Sequence, residues 1–322
     1  MKKILVTTTR FPELCAQAKQ LLEQEGFELI IGSKEIPCYT TQELAPYLPD
    51  IFGVIAGTDL WDEEKFRLAP NLRVIAKFGT GVDTIDLEKA REHRIVVFNA
   101  HPDGNSNAVA ELTVGHIISA MRDVDYQSRE LRKGVWLRDI GHEIQGSVVG
   151  LYGFGDIARK VAKKLRAFEP KEIIAYDKFP NLPAAKELQV RMVSVHELLR
   201  SSDVLSLHVP ELPENRHLID RKAIEAMKPG ACLVNTARGM LVDTQALCDA
   251  VDSGRLAGAA LDAYEEEPCR PGDRVLTTPH ILVTPHAGAE SYEAYTRVSM
   301  IAARGIIAVA NGTYPAQWLN RW

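Results

Sequence analysis

The strongest constraint on the fold of this chain is the alternation of short apolar runs with helical segments along its whole length. The runs are rich in Val, Ile and other strand formers, and the segments between them carry a helical apolar period. This alternation is typical of parallel sheets that are covered by helices on both faces. With 322 residues, 46% of them hydrophobic, the chain has room for two ordinary domains. The sequence therefore predicts an α/β protein with two doubly wound parallel-sheet domains.

The apolar runs separate into two series. The first series ends near Ala100 and contains KKILVTT, FELIIG, FGVIAG, RVIAKFG and IVVFNA, with a helix over PELCAQAKQLLEQEG that ends at Gly26. The second contains SVVGLYG, EIIAYD, a weaker VRMVS, VLSLHV, ACLVNTA, GAALDAY and ILVTP. A turn-rich HPDGNSN and a long helix from about Ser106 to Met121 connect them, and another long helix follows Gly288. Two sheets imply two domains and a cleft.

Charge, apolar content and cysteine placement argue against several classes of protein. A formal net charge of −5 without a basic run gives no electrostatic footprint for nucleic acid. No stretch approaches the roughly 18 consecutive apolar residues of a membrane helix, and the first apolar run is too short for a signal peptide. The five cysteines lack C-x-x-C spacing, so neither a disulfide framework nor a zinc site is expected. We expect a cytoplasmic protein without a nucleic-acid partner, a membrane partner or a metal.

A dinucleotide-binding turn is predicted at GLYGFGDIARKV, where Gly153, Gly155 and Ala158 form a G-x-G-x-x-A pattern between a strand and a helix. Gly153 allows a tight turn, Gly155 lets a pyrophosphate approach the backbone, and Ala158 permits close helix packing. Nineteen residues after Ala158, the next strand ends in Asp177, whose carboxylate would bind the ribose hydroxyls and repel a 2′-phosphate. The pattern favours NAD over NADP, although Lys178 weakens the exclusion. A tight turn with an unrelated aspartate is the structural alternative.

Polar residues follow the strands of the second series, and ligands of open parallel sheets bind at the edge where strands end. These residues are His208, Arg238, Asp262, Glu267 and His286. Thr-Pro-His occurs twice, but His280 precedes its strand whereas His286 follows it. We therefore predict His280 at the opposite edge of the sheet, as a turn histidine without a catalytic role.

A cation, a carboxylate and a histidine beside a nicotinamide are the groups that hydride exchange with a 2-oxo or 2-hydroxy acid requires. Arg238 can hold the substrate carboxylate and carbonyl through its planar fork, and His286 can give or remove a proton at the substrate oxygen. Glu267, paired with His286, would orient the ring and favour its charged form. Taken singly, a surface ion pair for Arg238 and a solvated charge for Glu267 are the structural alternatives.

Seven stretches resemble the D-isomer-specific 2-hydroxyacid dehydrogenases, and most of all their phosphoglycerate dehydrogenase branch. In chain order they are PNLRVIAKFGTGVDTIDLEKA, NSNAVAELTVG, GLYGFGDIA, ENRHLI, MKPGACLVNTARGMLVD, GAALDAYEEEP and VTPHAGAES. The resemblance implies an NAD-dependent dehydrogenase in which Arg238, Glu267 and His286 are catalytic.

The same resemblance implies how the chain is divided. A Rossmann-type NAD domain, residues 101–289, is inserted into a flavodoxin-like substrate domain of residues 1–100 and 290–322, and a homodimer forms through the NAD domain. The backbone amides implied to bind the substrate carboxylate are those of Phe78, Gly79, Thr80 and Gly81. The residues implied to line the NAD site are Thr80, Asp156, Ile157, Asp177, Ala237, Asp262 and Gly288, beside Gly153, Gly155 and His208.

The identity of the substrate is less constrained. Lys77 replaces an arginine common in the phosphoglycerate branch and bulky Phe78 replaces a small residue, which puts phosphate recognition in question. We expect reduction of glyoxylate or hydroxypyruvate, and of 3-phosphohydroxypyruvate if Lys77 binds phosphate. A formate or phosphite dehydrogenase is one alternative, although the formate enzymes place glutamine where Glu267 stands. A dinucleotide-sensing corepressor that keeps the same three residues is another.

Overall fold

The computed structural model describes residues 1–34 and 38–322. These residues form two compact units: a first unit, Met1–Ser106 with Ala289–Trp322, and a second unit, Asn107–Gly288. The strands are β1 Lys2–Val6, β2 Phe27–Ile31, β3 Ile51–Ala56, β4 Val74–Lys77, β5 Val96–Phe98, β6 Val148–Tyr152, β7 Glu172–Tyr176, β8 Arg191–Met192, β9 Val204–Leu207, β10 Cys232–Asn235, β11 Gly258–Leu261 and β12 Ile281–Val283.

The α-helices of the same described residues follow in chain order. They are α1 Phe11–Leu14, α2 Ala16–Gln24, α3 Thr41–Leu44, α4 Glu63–Leu68, α5 Leu87–Glu92, α6 Ser106–Arg122, α7 Val124–Arg132, α8 Asp156–Leu165, α9 Leu182–Glu187, α10 Val195–Ser201, α11 Arg221–Ala226, α12 Thr244–Asp252, α13 Arg274–Thr277 and α14 Tyr292–Ala310. Short 3-10 segments lie at Leu48–Asp50, Arg166–Phe168, Pro213–Asn215 and Gly239–Leu241.

Several helices begin where a side chain satisfies a free amide of the first turn. Asp62, Asp86, Asp220 and Asp243 accept from the third amide of α4, α5, α11 and α12. Ser291 does the same for α14. Such a cap typically contributes about 1 kcal/mol, so the starts of these helices follow from local chemistry.

The sheet of the first unit is parallel and has the order β2-β1-β3-β4-β5, which is the flavodoxin-like order. Helices cover both faces: Phe11 and Leu22 pack on one face together with α14, and Phe66 packs on the other. At Gly305 of α14 a Cβ would overlap the ring of Phe98, so glycine lets this helix lie close to β5. All five strands predicted for the first series are present.

One predicted helix of the first unit is divided in two. The segment predicted as a single helix up to Gly26 forms α1 and α2, because Cys15 leaves the helical conformation with φ −116° and ψ 31°. The break lets the two segments bury different side chains, Phe11 from α1 and Leu22 from α2. The prediction of an uninterrupted helix is therefore wrong.

The second unit has seven parallel strands in the order β12-β11-β10-β9-β6-β7-β8. The chain runs outward from β6 to β8 and then returns to the other side of β6 to form β9, which is the Rossmann-type order. Both faces are covered, since neighbouring Leu233 and Val234 of β10 lie in different apolar clusters. The predicted fold class is confirmed. Within the described residues, no helix combines the length and the apolar character needed to cross a membrane.

Candidate active site

Arg238, Glu267 and His286 follow the carboxyl ends of β10, β11 and β12, which are neighbours in the sheet of the second unit. Because these strands are parallel, their ends meet at one edge. The switch in strand order between β6 and β9 opens at the same edge, where ligands of such sheets bind.

Glu267 and His286 form a hydrogen-bonded pair. Nδ1 of His286 lies 2.8 Å from Oε2 of Glu267, and the amide of Tyr264 donates to Oε1 at 2.9 Å. Burial is the largest single effect and raises the pKa of Glu267, but the hydrogen bond and charge of His286, the amide of Tyr264 and the charge of Arg238 together lower it below the ordinary value. The same hydrogen bond raises the pKa of His286 above the ordinary value, against the effect of burial. The histidine therefore holds its proton to higher pH than a free histidine does.

Each carboxylate of the EEE run has a different partner. Glu265 accepts from the amide of Thr244 at 3.1 Å and lies 2.9 Å from Nε2 of His217. Glu266 pairs with exposed Arg270, and Glu267 alone contacts His286. Each carboxylate of the run thus has its own partner, and the alternative of a purely solvated charge for Glu267 does not hold.

Arg238 lies on a fixed loop beside the pair. Buried Asn235 at the end of β10 donates from Nδ2 to the carbonyl of Arg238 at 2.8 Å and accepts from the amide of Ala237 at 3.0 Å. The positive charge of Arg238 acts to lower the pKa of both Glu267 and His286. A guanidinium close enough to act on both groups can bind an anion next to them.

Asp262 anchors the turn that carries His286. Its carboxylate is 1% exposed and accepts from Thr284 Oγ1 at 2.5 Å and from the amides of Ala287 and Gly288 at 2.7 and 2.8 Å. Between these contacts, His286 adopts a φ of 51°, which is uncommon outside glycine. The buried carboxylate therefore fixes both sides of a strained position.

Four supporting residues lie outside the sequence prediction. His116 is buried, which lowers its pKa, and its Nε2 lies 3.0 Å from Thr284 Oγ1. The phenol of Tyr264 donates to the carbonyl of Thr284 at 2.8 Å. A Cβ at Gly239 would overlap the backbone carbon of Tyr264, so glycine lets the loops after β10 and β11 touch. No local sequence signal identifies these contacts, since each joins segments distant in the chain.

His280 lies at the amino end of β12, on the opposite edge of the sheet from His286. Its Nδ1 is 2.8 Å from Oδ2 of Asp123, and its ring packs on Tyr126 with 4.4 Å between centroids. Asp139 completes a group whose ligand atoms lie within 4.8 Å of one another. We assign no metal to this cluster, because Asp123 and His280 already bind each other.

The turn between β6 and α8 has an open backbone. Gly153 has a φ of 97°, and a Cβ there would lie 2.5 Å from the carbonyl oxygen of His208, so the position requires glycine. Gly155 caps α8, and among the described residues beyond its immediate chain neighbours no atom lies within 4 Å of the place its Cβ would take. Ala158, a residue of α8, is fully buried. An open glycine at the positive end of a helix suits a pyrophosphate.

Asp177, at the end of β7, orders its surroundings through both carboxylate oxygens. Oδ2 accepts from the amide of Phe154 at 2.7 Å and Oδ1 from the amide of Phe179 at 2.8 Å. Each oxygen keeps a lone pair with which it can accept from a ribose hydroxyl. Lys178, which was expected to weaken the exclusion of a 2′-phosphate, is exposed, and its amine lies 3.9 Å from Glu214.

His208 follows β9 and has an unsatisfied ring nitrogen. Its Nε2 is buried and has no hydrogen-bond partner within the part of the chain that the structure describes. Burial lowers the pKa of His208 to about 3, so the ring is neutral. A buried polar atom without a partner is costly, and a bound ligand can supply the missing partner. Together with the open side of Gly155 and the free lone pairs of Asp177, this atom fits a dinucleotide.

The remaining residues predicted for the NAD site in the second unit are placed as follows. Asp156 begins α8 and binds Lys160 at 2.8 Å through each carboxylate oxygen. Ile157, the next residue, is half-buried. Ala237 lies on the Arg238 loop, and Gly288 donates its amide to Asp262. All four follow carboxyl ends of strands, the edge of a parallel sheet at which ligands bind.

Residues predicted to bind the substrate carboxylate follow β4 in the first unit. Lys77, the last residue of β4, donates from Nζ to the carbonyl of Gly57. The amide of Phe78 donates to the carbonyl of Ala56 at 2.9 Å, because the pairing of β4 with β3 extends one residue further. This amide is already engaged, so the prediction that it binds substrate is wrong for Phe78.

The next three residues differ from Phe78. The carbonyl of Gly79 accepts from Ala100 at 2.9 Å, and the carbonyl of Thr80 accepts from Asn99 Nδ2 at 2.6 Å. Within residues 1–34 and 38–322, the amides of Gly79, Thr80 and Gly81 donate to no other group. Gly79 has a φ of 133°, a conformation that requires glycine.

A comparison with known families shows which family the chain belongs to. The model of the D-isomer specific 2-hydroxyacid dehydrogenase NAD-binding domain matches residues 114–288. The chain belongs to this family. The second unit is therefore its NAD-binding domain, and the predicted family and cofactor are confirmed.

Individual members of the family show the extent of the similarity. The D-3-phosphoglycerate dehydrogenase of Archaeoglobus fulgidus is 39% identical over 78% of this chain and 48% of its own, so this chain spans about half of that relative. The hydroxypyruvate reductase of Thermotoga maritima is 36% identical over 87% of this chain and 92% of its own. A solved protein from Thermus thermophilus superposes with a TM-score of 0.89 at 34% identity, covering 98% of this chain and 99% of its own.

Proposed function

We propose that the protein is an NAD-dependent D-2-hydroxyacid dehydrogenase, which exchanges a hydride between the nicotinamide and C2 of a 2-hydroxy or 2-oxo acid. The observation that carries the proposal is the 2.8 Å contact between His286 Nδ1 and Glu267 Oε2, on loops next to Arg238 at the ligand-binding edge of an NAD-binding domain. The names of the two relatives, a phosphoglycerate dehydrogenase and a hydroxypyruvate reductase, support this class of activity.

The chemistry assigns one task to each of the three residues. NADH supplies the hydride when bound. Arg238 holds the carboxylate and carbonyl oxygens of the 2-oxo acid through its planar fork of donors. Because Nδ1 of His286 is bonded to Glu267, the ring exchanges its proton with the substrate through Nε2. In reduction, charged His286 gives that proton to the carbonyl oxygen and becomes neutral; in oxidation, neutral His286 removes it from the hydroxyl.

We assign the two units separate binding roles. The second unit holds NAD at Gly153, Gly155, Asp177 and His208, with Asp177 favouring NAD over NADP. The first unit is the substrate domain, where the amides of the segment 79–81, which donate to no group of the described residues, bind the substrate carboxylate.

A turnover assay tests the proposed function. NADH oxidation is followed with glyoxylate, pyruvate, hydroxypyruvate and 3-phosphohydroxypyruvate, and each reaction is repeated with NADPH. Turnover of at least one acid with NADH, and its loss in His286→Ala, is the expected result. Tight NADH binding without turnover of any acid would instead favour the corepressor-like alternative and contradict the proposal.

We also propose that two chains associate through the NAD-binding domain. No residue of α7 is buried by the described part of the chain, and next to it Trp136 and Ile140 are 80% and 95% exposed. Large apolar side chains exposed together are typical of a protein interface. Sedimentation should give a dimer that Trp136→Glu weakens; a monomeric wild type would refute the proposal. The cytoplasmic location remains a prediction from the sequence.

A further inference from the structure

A cavity of about 100 Å³ lies within the first unit, which is space for several water molecules or a small polar group. It is bordered by Phe78 and Gly79, next to the amides to which we assign the substrate carboxylate. The polar side chains in its wall are those of Thr8, Thr9, Thr58, Lys77, Asn105, Glu290 and Tyr295. Hydroxyl and amide groups therefore predominate, together with one cation and one carboxylate.

The carboxylate of Glu290 is held in place by a phenol. Tyr295 is 4% exposed, its hydroxyl donates to Glu290 Oε2 at 3.0 Å, and Thr9 Oγ1 lies 3.4 Å from that hydroxyl. Burial raises the pKa of Tyr295 to about 12, so the phenol keeps the proton that this hydrogen bond uses. Glu290 thus presents a charged acceptor at a fixed place in the cavity wall.

Asn105 adds a second acceptor that has no donor. The residue is 6% exposed, and its Oδ1 is buried without a hydrogen-bond partner among the residues that the structure describes. A buried acceptor without a donor is costly, and native structures rarely leave one unsatisfied. The side chain lines the cavity, so a bound group that donates a hydrogen bond would satisfy it.

The cation of the cavity already has partners in its own unit. Lys77 donates to the carbonyl of Gly57. Its charge also acts on the carboxyl of Asp59, a fully buried group whose pKa is raised by burial. Phosphate groups are typically bound by several cations or by an arginine fork. Here a phosphate would meet one engaged lysine and the like charge of Glu290.

We propose that this cavity selects 2-oxo and 2-hydroxy acids with a neutral hydroxyl group at C3, and that Glu290 excludes the phosphorylated acids. The hydroxyl donates its one proton to one of the two acceptors, Glu290 or Asn105, which a phosphate ester at C3 cannot do. This inference rests on the proposed dehydrogenase function and names its substrate class as the hydroxypyruvate and glycerate type.

Specificity constants for three acids test the inference. In the wild type, kcat/KM for hydroxypyruvate should exceed that for pyruvate and that for 3-phosphohydroxypyruvate by about tenfold or more, since a hydrogen bond to a charged acceptor and a like charge each have effects of this order. Glu290→Gln removes the charge with little change of shape. Both preferences should then shrink by about tenfold, mainly through KM. Glu293→Gln, the same change at an exposed position of α14 outside the cavity, should change neither preference.

A binding measurement keeps the inference separate from the proposed function. In His286→Ala protein loaded with NADH, dissociation constants for hydroxypyruvate, pyruvate and 3-phosphohydroxypyruvate should show the same order and the same response to Glu290→Gln. Absence of turnover with every acid in the wild type would contradict the proposed dehydrogenase activity but not the inference about the cavity. A wild type that prefers the phosphorylated acid, or a Glu290→Gln variant with unchanged preferences, would overturn the inference while the activity stands.

Discussion

Replacing His286 and neutralising Glu267 should have effects of different size. His286→Ala removes the proton donor, so kcat should fall by about 10² to 10⁴-fold, the usual contribution of a general acid. Glu267→Gln keeps a side chain of the same shape but loses the charge. A hydrogen bond to a charged group contributes about 1.5–3 kcal/mol when shielded. The side chains of Glu267 and His286 are 37% and 47% exposed, and screening reduces this to about 1 kcal/mol, or roughly a fivefold loss in kcat.

The pH dependence of the two reactions distinguishes this charge effect from a loss of structure. The carboxylate of Glu267 raises the pKa of His286, so the charged ring, which reduction needs, persists above the ordinary value of about 6.5. Reduction should therefore fall as the pH rises through this raised pKa, and oxidation should increase there. Both transitions, measured as kcat/KM against pH, should move to lower pH in Glu267→Gln.

A second histidine–glutamate pair provides a matched control. His217 and Glu265 lie 2.9 Å apart in the same unit, and neither belongs to the proposed proton transfer. His217→Ala and Glu265→Gln should leave the pH transitions in place, as should His280→Ala. Transitions that stay fixed in Glu267→Gln, or that move in Glu265→Gln or His280→Ala, would show that the wrong histidine has been assigned.

Three further outcomes are expected. Asp177→Ala should reduce the preference for NADH over NADPH, measured as the ratio of kcat/KM values, because the 2′-phosphate would no longer meet a like charge; an unchanged ratio would contradict this role. Asp262→Asn should lower the free energy of unfolding in urea by about 1–3 kcal/mol, since an amide nitrogen would face a backbone donor. Gly239→Ala should lower the thermal midpoint and kcat together, because the added Cβ overlaps Tyr264; a normal midpoint would show that the loops can separate.

The strands could be predicted because a parallel strand buried on both faces is a continuous apolar run, as buried Cys232, Leu233 and Val234 of β10 illustrate. The break at Cys15 could not be predicted, because the helical apolar pattern continues through it without a glycine or an internal proline. Whether this residue leaves the helix depends on how Phe11 and Leu22 pack against the rest of the unit.

The candidate site also has residues that could be predicted from the sequence and residues that could not. Arg238, Glu267 and His286 could be selected because each follows a strand, and the rule for parallel sheets depends only on strand direction. The residues that support this site could not be predicted, because Tyr264 and Thr284 meet only when two loops fold against each other. The engagement of the Phe78 amide also depends on how far two strands pair, which apolar patterns do not determine.

The discontinuous first unit has a consequence for synthesis of the chain. The strand β5 ends at Phe98, but the face of the sheet beside it is covered by α14, which begins at Tyr292. At ribosomal rates of about 5–20 residues per second, the covering helix emerges roughly 10–40 s later. During this interval the second unit can fold, while the apolar face of the first sheet stays uncovered until α14 is synthesised. Nascent chains should therefore be most vulnerable to aggregation, and most dependent on chaperones, in this window.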